Sequence, residues 1–424
     1  MPFDAIFVPD AMRAAVDDRA WLQAMLDAEA ALARAQARAG VIPEDAAAAI
    51  ADACRAERFD VEAIAQAARA AGNPVPALVA AVEGDAARWF HWGATSQDIL
   101  DTAAMLVARH ALELIAAELD GVADACAGLA EAHRETIMPA RTLMQQALPT
   151  TFGLKAACWL DAVLDARDEL RRARLSAQLG GAAGTLASMG DAGPAVLREF
   201  ARELGLEEPA VPWHASRARV AALGAGLAIA AGSLAKIALD VLLLAQTEVG
   251  EVASGTGGSS AMPHKRNPVE AIRARACARQ VGAAAALLVG SVGEHEGERA
   301  AGAWHAEWAP LSDALALTGG AAAAVREMLE GLEVLTDRMA SNVATVSMAE
   351  HVVLLLAERV GRPEAKLLVE AAAKRAAEGG RTFREELLED PLLEADEVDR
   401  ALDPAGYLGS ANLFVDRALA RHRA

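Results

Sequence analysis

The chain is poor in aromatic residues. They make up 4% of its 424 residues, and Tyr407 is the only tyrosine. Strands draw on aromatic and β-branched side chains, so this scarcity argues against a domain built on sheets. Lysine is scarce as well: Lys155, Lys236, Lys265, Lys366 and Lys374 are all there are, and arginine supplies the remaining positive charge. Acidic residues outnumber basic ones, 59 to 40, for a formal net charge of −19. That balance argues against a nucleic-acid partner, which wants a basic face. It leaves an anionic small molecule open, because a local basic loop overrides the global field at short range. The cysteines Cys54, Cys126, Cys158 and Cys277 are scattered without a CxxC pair. They predict reduced, buried thiols in a cytoplasmic protein rather than disulfides or a metal site. Met1-Pro2-Phe3-Asp4 is not a basic segment followed by an apolar one, so no signal peptide is expected. The longest apolar run, 220–235, is interrupted by Ser233 and ended by Lys236. It falls short of the roughly 20 residues of a membrane span and predicts a helix buried among others, inside an oligomer. No dinucleotide glycine fingerprint or P-loop occurs, so no organic cofactor is implied.

What the chain has in quantity is alanine and leucine. The hydrophobic fraction is 54%, and its make-up is that of close-packed helices. Apolar residues recur at helical spacing from Trp21 to Ala30, Gly40-Val41-Ile42-Pro43 ends that segment, and Gly72-Asn73-Pro74-Val75-Pro76 marks another break. Residues 1–105 read as a domain of short helices. Residues 106–345 read as long helices separated by Pro139, by Gly180-Gly181-Ala182-Ala183-Gly184 and by a loop near residue 260, which suits an up-and-down bundle. Residues 346–424, broken at Gly361-Arg362-Pro363, Gly379-Gly380 and Asp403-Pro404-Ala405-Gly406, read as a small third helical domain.

The loop near residue 260 carries the chemistry. Ser254-Gly255-Thr256-Gly257-Gly258 is too rich in small residues to hold one backbone conformation. It leads into Ser259-Ser260-Ala261-Met262-Pro263-His264-Lys265-Arg266-Asn267-Pro268-Val269-Glu270. Asn267 is suited to cap a helix, Pro268 to its first position and Glu270 to close a capping box. Two hydroxyls, an ammonium and free N–H groups at a helix start suit a substrate bearing carboxylates.

This stretch resembles the signature Gly-Ser-Ser-x-Met-Pro-x-Lys-x-Asn of the fumarase/aspartase superfamily. The resemblance implies an all-α subunit of three domains, a homotetramer built around a long helical bundle, and active sites shared between subunits. It also implies chemistry without a metal: removal of a proton alpha to a carboxylate with loss of a beta group, or the reverse. By the same likeness Ser259 is the proton-transfer group, and Lys265, Asn267 and the loop backbone stabilise the carbanion, with Ser260 and Met262 beside the substrate.

Two further clusters gain weight from that likeness. In His91-Trp92-Gly93-Ala94-Thr95-Ser96-Gln97-Asp98, Thr95 can cap the following helix with Asp98 three residues on. The resemblance places His91, Thr95, Ser96 and Gln97 against a substrate carboxylate, with Asp98, Asp101 and Thr102 supporting the loop. In Arg141-Thr142-Leu143-Met144-Gln145 it places Arg141 and Gln145 in the site. Adenylosuccinate lyases carry a catalytic histidine where this chain has Leu143, and leucine transfers no proton. A second histidine near Asn73 and an N-terminal Arg-Tyr phosphate contact are missing too, which argues against a nucleotide substrate.

The remaining matches are Gln145-Gln146-Ala147-Leu148-Pro149, Pro212-Trp213-His214, Gln246-Thr247-Glu248-Val249-Gly250-Glu251-Val252 and Trp304-His305-Ala306-Glu307-Trp308. They resemble the superfamily's lactone-forming cycloisomerase branch, whose substrate is a small tricarboxylate. That branch usually has tryptophan where Leu143 stands. Arg299, in the extended run Glu294-His295-Glu296-Gly297-Glu298-Arg299, is the expected partner of a further carboxylate. A fumarate-releasing lyase and a non-catalytic structural homologue remain as alternatives. His295 and His305 lack zinc-motif spacing and are expected to be hydrogen-bonded or solvated. His214 either lines the pocket or packs. Trp304 and Trp308, four residues apart, predict a packed helical face.

Overall fold

The computed structural model describes residues 3–254, 257–258, 262 and 265–424. Ser259, Ser260 and His264 lie outside the described residues.

The fold is all-α. Its helices start and stop for local reasons. Asp17 caps Asp18–Arg38 by accepting from the Ala20 N–H at 2.8 Å. Alanine inside that helix loses no side-chain entropy and lets neighbours approach closely; Ala28, Ala31 and Ala35 are fully buried. The helix ends before Gly40, whose φ of 71° takes the left-handed turn that follows. The long helices are Ser96–Ala132, Phe152–Arg171, Ala218–Leu244, Val269–Gly290 and Trp308–Glu330.

The chain divides into two compact units, each drawn from three separated stretches. The first comprises residues up to Asp120, Asp165–Lys236 and Ile272–Val325. Its core holds Leu22, Leu26, Leu32, Ile99, Val220, Leu223 and Leu227. The second comprises Gly121–Leu164, Ile237–Ala271 and Arg326–Ala424. There Phe152 meets Trp159 edge-on, and the Trp159 indole N–H donates to Asp240 Oδ2 at 2.7 Å. A separate apolar cluster, including Val352, Leu356, Val369, Phe383, Leu387 and Val398, holds its C-terminal part.

Four expectations need correction. A hairpin, β1 (Ile137–Thr142) paired antiparallel with β2 (Gln145–Thr151), occupies a stretch read only as a break at Pro139. Pro139 faces Pro149, and the register shifts between Pro139 and Arg141, so the missing N–H groups fall beside an irregularity in the ladder. Asn267 caps no helix. It pairs with Gly257 across a two-residue ladder, Gly257–Gly258 against Arg266–Asn267, and the helix begins at Val269. The apolar run 220–235 is part of the longer helix Ala218–Leu244, which continues through Ser233 and Lys236 because neither residue stops a helix. By length and composition alone, that helix and Val269–Gly293 are long and apolar enough to cross a membrane. Cys158 is exposed, unlike the buried Cys54, Cys126 and Cys277. Burial pushes the Cys54 and Cys126 thiols up to about 12 and the Cys277 thiol up to about 11.

Candidate active site

In the first unit the candidate residues gather around one carboxylate. The chain turns sharply before the Ser96–Ala132 helix, with His91 at φ 57° and Gly93 at φ 69°. The positive φ selects glycine at position 93, where a Cβ would also lie 2.8 Å from Ser188 Oγ. Thr95 then takes the position before the helix. Its N–H donates to Asp98 Oδ2 at 3.0 Å, and its carbonyl accepts from the Asp98 N–H at 2.9 Å. Asp98 is fully buried and collects further bonds from Gly180 N–H (2.8 Å), Gly181 N–H (2.9 Å) and His214 Nε2 (2.7 Å). The carboxylate that starts the helix thus also anchors the glycine cluster. His214 is a buried partner of that carboxylate, and Gly180 leaves it room: a Cβ there would come within 2.8 Å of His214 Cε1 and of Pro212 Cβ.

Gln97 sits one step inside the loop. It is fully buried, and its Nε2 donates to Asp101 Oδ2 at 3.1 Å and to the His214 carbonyl at 2.8 Å. Both amide hydrogens are committed to the interior, while Oε1 is buried with no hydrogen-bond partner among the described residues. Thr95 and Ser96 remain partly accessible. His91 donates through Nδ1 to Glu29 Oε1 at 2.6 Å, and Glu29 is buried. Burial works against charge on the imidazole, but Glu29's charge and hydrogen bond, with Asp98 adding, raise its pKa above the ordinary 6.5. An imidazole whose protonated form Glu29 favours, two hydroxyls and a helix start form a set able to hold a carboxylate.

Beneath this loop lies a buried ionic chain that the sequence did not announce. Arg217 grips Asp101 with Nη1 to Oδ2 at 2.7 Å and Nη2 to Oδ1 at 2.9 Å. It also donates to Glu307, with Nη2 to Oε2 at 2.6 Å. Burial opposes its charge, yet the two carboxylates hold its pKa above the usual value. The Trp304 indole donates to Asp101 Oδ1 at 3.0 Å and packs edge-on against Trp308, the packed face expected from their spacing. His295 Nε2 bonds Glu307 Oε1 at 3.2 Å, so this histidine is hydrogen-bonded, as expected. Arg299 donates from Nη2 to the Ala182 carbonyl at 3.1 Å.

The second unit holds the other candidates. Arg141, on β1, faces the fully buried Glu251 with both guanidinium arms, Nη1 lying 2.9 Å from Oε2. Asn342 Nδ2 donates to the same carboxylate at 2.8 Å. Arg141 thus braces the buried Glu251 from the hairpin while its guanidinium keeps partial exposure. Gln145 is exposed at the start of β2, beside the hairpin tip Leu143-Met144. Met262 and Lys265 are exposed, and the Lys265 N–H donates to the Met262 carbonyl at 3.0 Å.

With this geometry in hand, the chain can be compared with known proteins. The family described as "Lyase" matches residues 8–282, and "Adenylosuccinate lyase C-terminus" matches residues 346–418. The chain is 46% identical to 3-carboxy-cis,cis-muconate cycloisomerase of Bradyrhizobium diazoefficiens, over 96% of this chain and 95% of that one. It is 47% identical to nitrosuccinate lyase of Streptomyces davaonensis, over 96% and 92%. Its fold matches the crystal structure of 3-carboxy-cis,cis-muconate lactonizing enzyme from Pseudomonas putida with a TM-score of 0.94 and 42% identity, covering 99% of this chain and 98% of that one.

Proposed function

Since the chain belongs to the lyase family of the fumarase/aspartase superfamily, we propose that it lactonises 3-carboxy-cis,cis-muconate to 4-carboxymuconolactone, reversibly. The observation that carries this reading is likeness to cycloisomerases at 40–46% identity along nearly the whole chain. In the forward direction one substrate carboxylate oxygen bonds to an alkene carbon. The alkene pair moves toward the carbon alpha to another carboxylate, and a proton is delivered there. Apart from that proton, which the enzyme passes on from solvent, no atom is gained or lost.

The demanding species is the carbanion, with charge spread onto a carboxylate, and positive groups with fixed N–H donors stabilise it most. We assign that task to Lys265, Asn267 and the backbone of their loop, and proton transfer to Ser259, with Ser260 and Met262 beside the substrate. His91, Thr95 and Ser96 hold one carboxylate and Arg299 another, while Gln145 contacts substrate from the hairpin. Gln97 and Arg141 complete the set of substrate contacts that the superfamily likeness implies. No organic cofactor or metal enters the scheme.

The protein is proposed to act as a cytoplasmic homotetramer with sites shared between subunits. In support, Ile229, Ile272, Leu287, Val289 and Val292 are exposed on or next to the helices Ala218–Leu244 and Val269–Gly290. Apolar groups in such number on a helix surface favour burial against another copy.

A second reading, a fumarate-releasing lyase, is favoured by the nitrosuccinate lyase relative and by Leu143 at the hairpin tip, where the cycloisomerase branch usually has tryptophan. Ultraviolet absorbance of 3-carboxy-cis,cis-muconate with the purified protein decides between them. Rapid loss of the diene absorbance, abolished by Ser259→Ala, is expected. Unchanged absorbance with fumarate released from a succinyl substrate would replace the first reading by the second. Inertness of both forms on every candidate would leave only the structural homologue.

A further inference from the structure

We infer that Glu307 is a positioning residue for Arg299, setting it against the Thr95–Ser96 loop so that the spacing of two substrate carboxylates is read. This rests on the assignment of those groups as carboxylate contacts, given above.

Arg217 Nε reaches both oxygens of Glu307, at 3.0 and 3.3 Å, and the remaining partners are divided between them. Oε2 takes the Arg217 Nη2 hydrogen at 2.6 Å and lies 3.0 Å from Nε. Oε1 takes Ser291 Oγ at 3.0 Å and His295 Nε2 at 3.2 Å. Neutralising Arg217 alone would require neither Ser291 nor His295, because Asp101 already grips that guanidinium with two bonds. Ser291 and His295 both lie in the connection between the Val269–Gly290 helix and the short helix Ala303–Ala306, the segment that carries Arg299.

That segment is closed on itself beyond His295. Glu296 Oε2 accepts from the Ala301 N–H at 3.1 Å, and Gly297 (φ 54°) and Gly302 (φ 126°) make the turns this requires. Arg299 therefore rides on a small closed loop whose orientation is fixed at its entrance by the His295–Glu307 bond. Its guanidinium reaches the Ala182 carbonyl, next to the Gly180 and Gly181 N–H groups that hold Asp98. Asp98 holds the Thr95 N–H. The path closes through Asp101, one turn along the same helix, back to Arg217 and Glu307. Thr95 and Arg299 are thus both tied to one circuit of hydrogen bonds and short chain segments, and Glu307 is the member from which the Arg299 loop hangs.

The test is a double-mutant cycle of Glu307→Gln and Arg299→Ala, reading KM and kcat separately for 3-carboxy-cis,cis-muconate. Loss of a charge-assisted contact predicts a KM about tenfold higher for Arg299→Ala. Misplacement predicts about fivefold for Glu307→Gln with kcat within about twofold, and no further rise in KM when both are changed. Multiplying effects on KM, or a fall in kcat and denaturation midpoint at unchanged KM, would reduce Glu307 to a fold-stabilising group. Should Glu307→Gln fail to fold, His295→Ala replaces it: it cuts the same anchor and spares the Arg217–Glu307 pair, and it must show the same coupling to Arg299. A protein that leaves the diene untouched refutes the assigned reaction. The cycle is then read on the succinyl substrate it cleaves, by the same criterion.

Discussion

Arg141 and Glu251 form a two-armed ion pair in which the carboxylate is fully buried and the guanidinium keeps a partly exposed edge. The pair ties the β1–β2 hairpin to the segment leading into the signature loop. Removing the arginine strands a buried charge that Asn342 alone cannot offset. Arg141→Ala is expected to cost about 3 kcal/mol in chemical denaturation, and Arg141→Lys to recover little of it, because an ammonium does not reproduce the fork. A loss within the error of the measurement would show that the pair contributes nothing net.

The His91–Glu29 pair gives stability a specific pH dependence. The folded pKa of His91 lies above its unfolded value, so folding binds protons. Its contribution is complete below the unfolded value of about 6.5 and is lost as pH rises through the raised folded value. Urea midpoints for the unaltered protein and for His91→Gln should therefore differ most near about pH 6 and converge toward alkaline pH. A gap that widens as pH rises would contradict the assignment. Glu29→Gln should reverse the dependence, since burial, the largest influence on His91, is then no longer outweighed.

Gly180 is expected to tolerate no side chain. Its missing Cβ leaves room for His214 Cε1 and Pro212 Cβ, each of which would lie 2.8 Å away. Neither is the free end of a flexible chain: His214 is held by Asp98, and the proline is a ring. Gly180→Ala should lower stability by about 1–3 kcal/mol. It should also raise KM, because the displaced backbone carries an N–H that holds Asp98 and through it Thr95. Full stability and unaltered KM would mean that the cluster yields easily.

The helices were legible in the sequence because alanine and leucine recur at helical spacing and glycine or proline marks the ends, as at Gly40 and Gly72. The hairpin was not. Ile137-Met138-Pro139-Ala140-Arg141-Thr142 lacks clean alternation, and its turn is Leu-Met where hairpins favour Asn-Gly. Asn267 carried a genuine helix-start signal, but pairing with Gly257 took precedence over local propensity. In the candidate site, Thr95 and Asp98 could be linked because they lie three residues apart. Arg217 stands 116 residues from Asp101 and 90 from Glu307, and pairing over such distances leaves no local pattern. One clue was available: Glu307 sits between tryptophans in an apolar stretch, and a buried carboxylate there calls for a cationic partner.

Leu143 and Met144 form the hairpin tip with φ of 50° and 66°, and both side chains are exposed, Leu143 at 97%. Two successive left-handed residues with a Cβ cost about 1–2 kcal/mol each relative to glycine. Exposing two apolar side chains offers no compensation within the subunit. Strain without local return marks positions kept for something beyond the fold. Replacing the tip by Asn-Gly should therefore raise the denaturation free energy by about 1–3 kcal/mol and lower kcat/KM by about tenfold or more. Leu143→Trp, which restores the residue usual in the cycloisomerase branch, should leave stability nearly unchanged and shift the ratio of diene lactonisation to fumarate release. If the Asn-Gly protein is both more stable and fully active, the tip has no part in the reaction. Leu143 would then cease to favour the lyase reading, and the choice of substrate would rest on the residues around Thr95, Arg299 and Lys265.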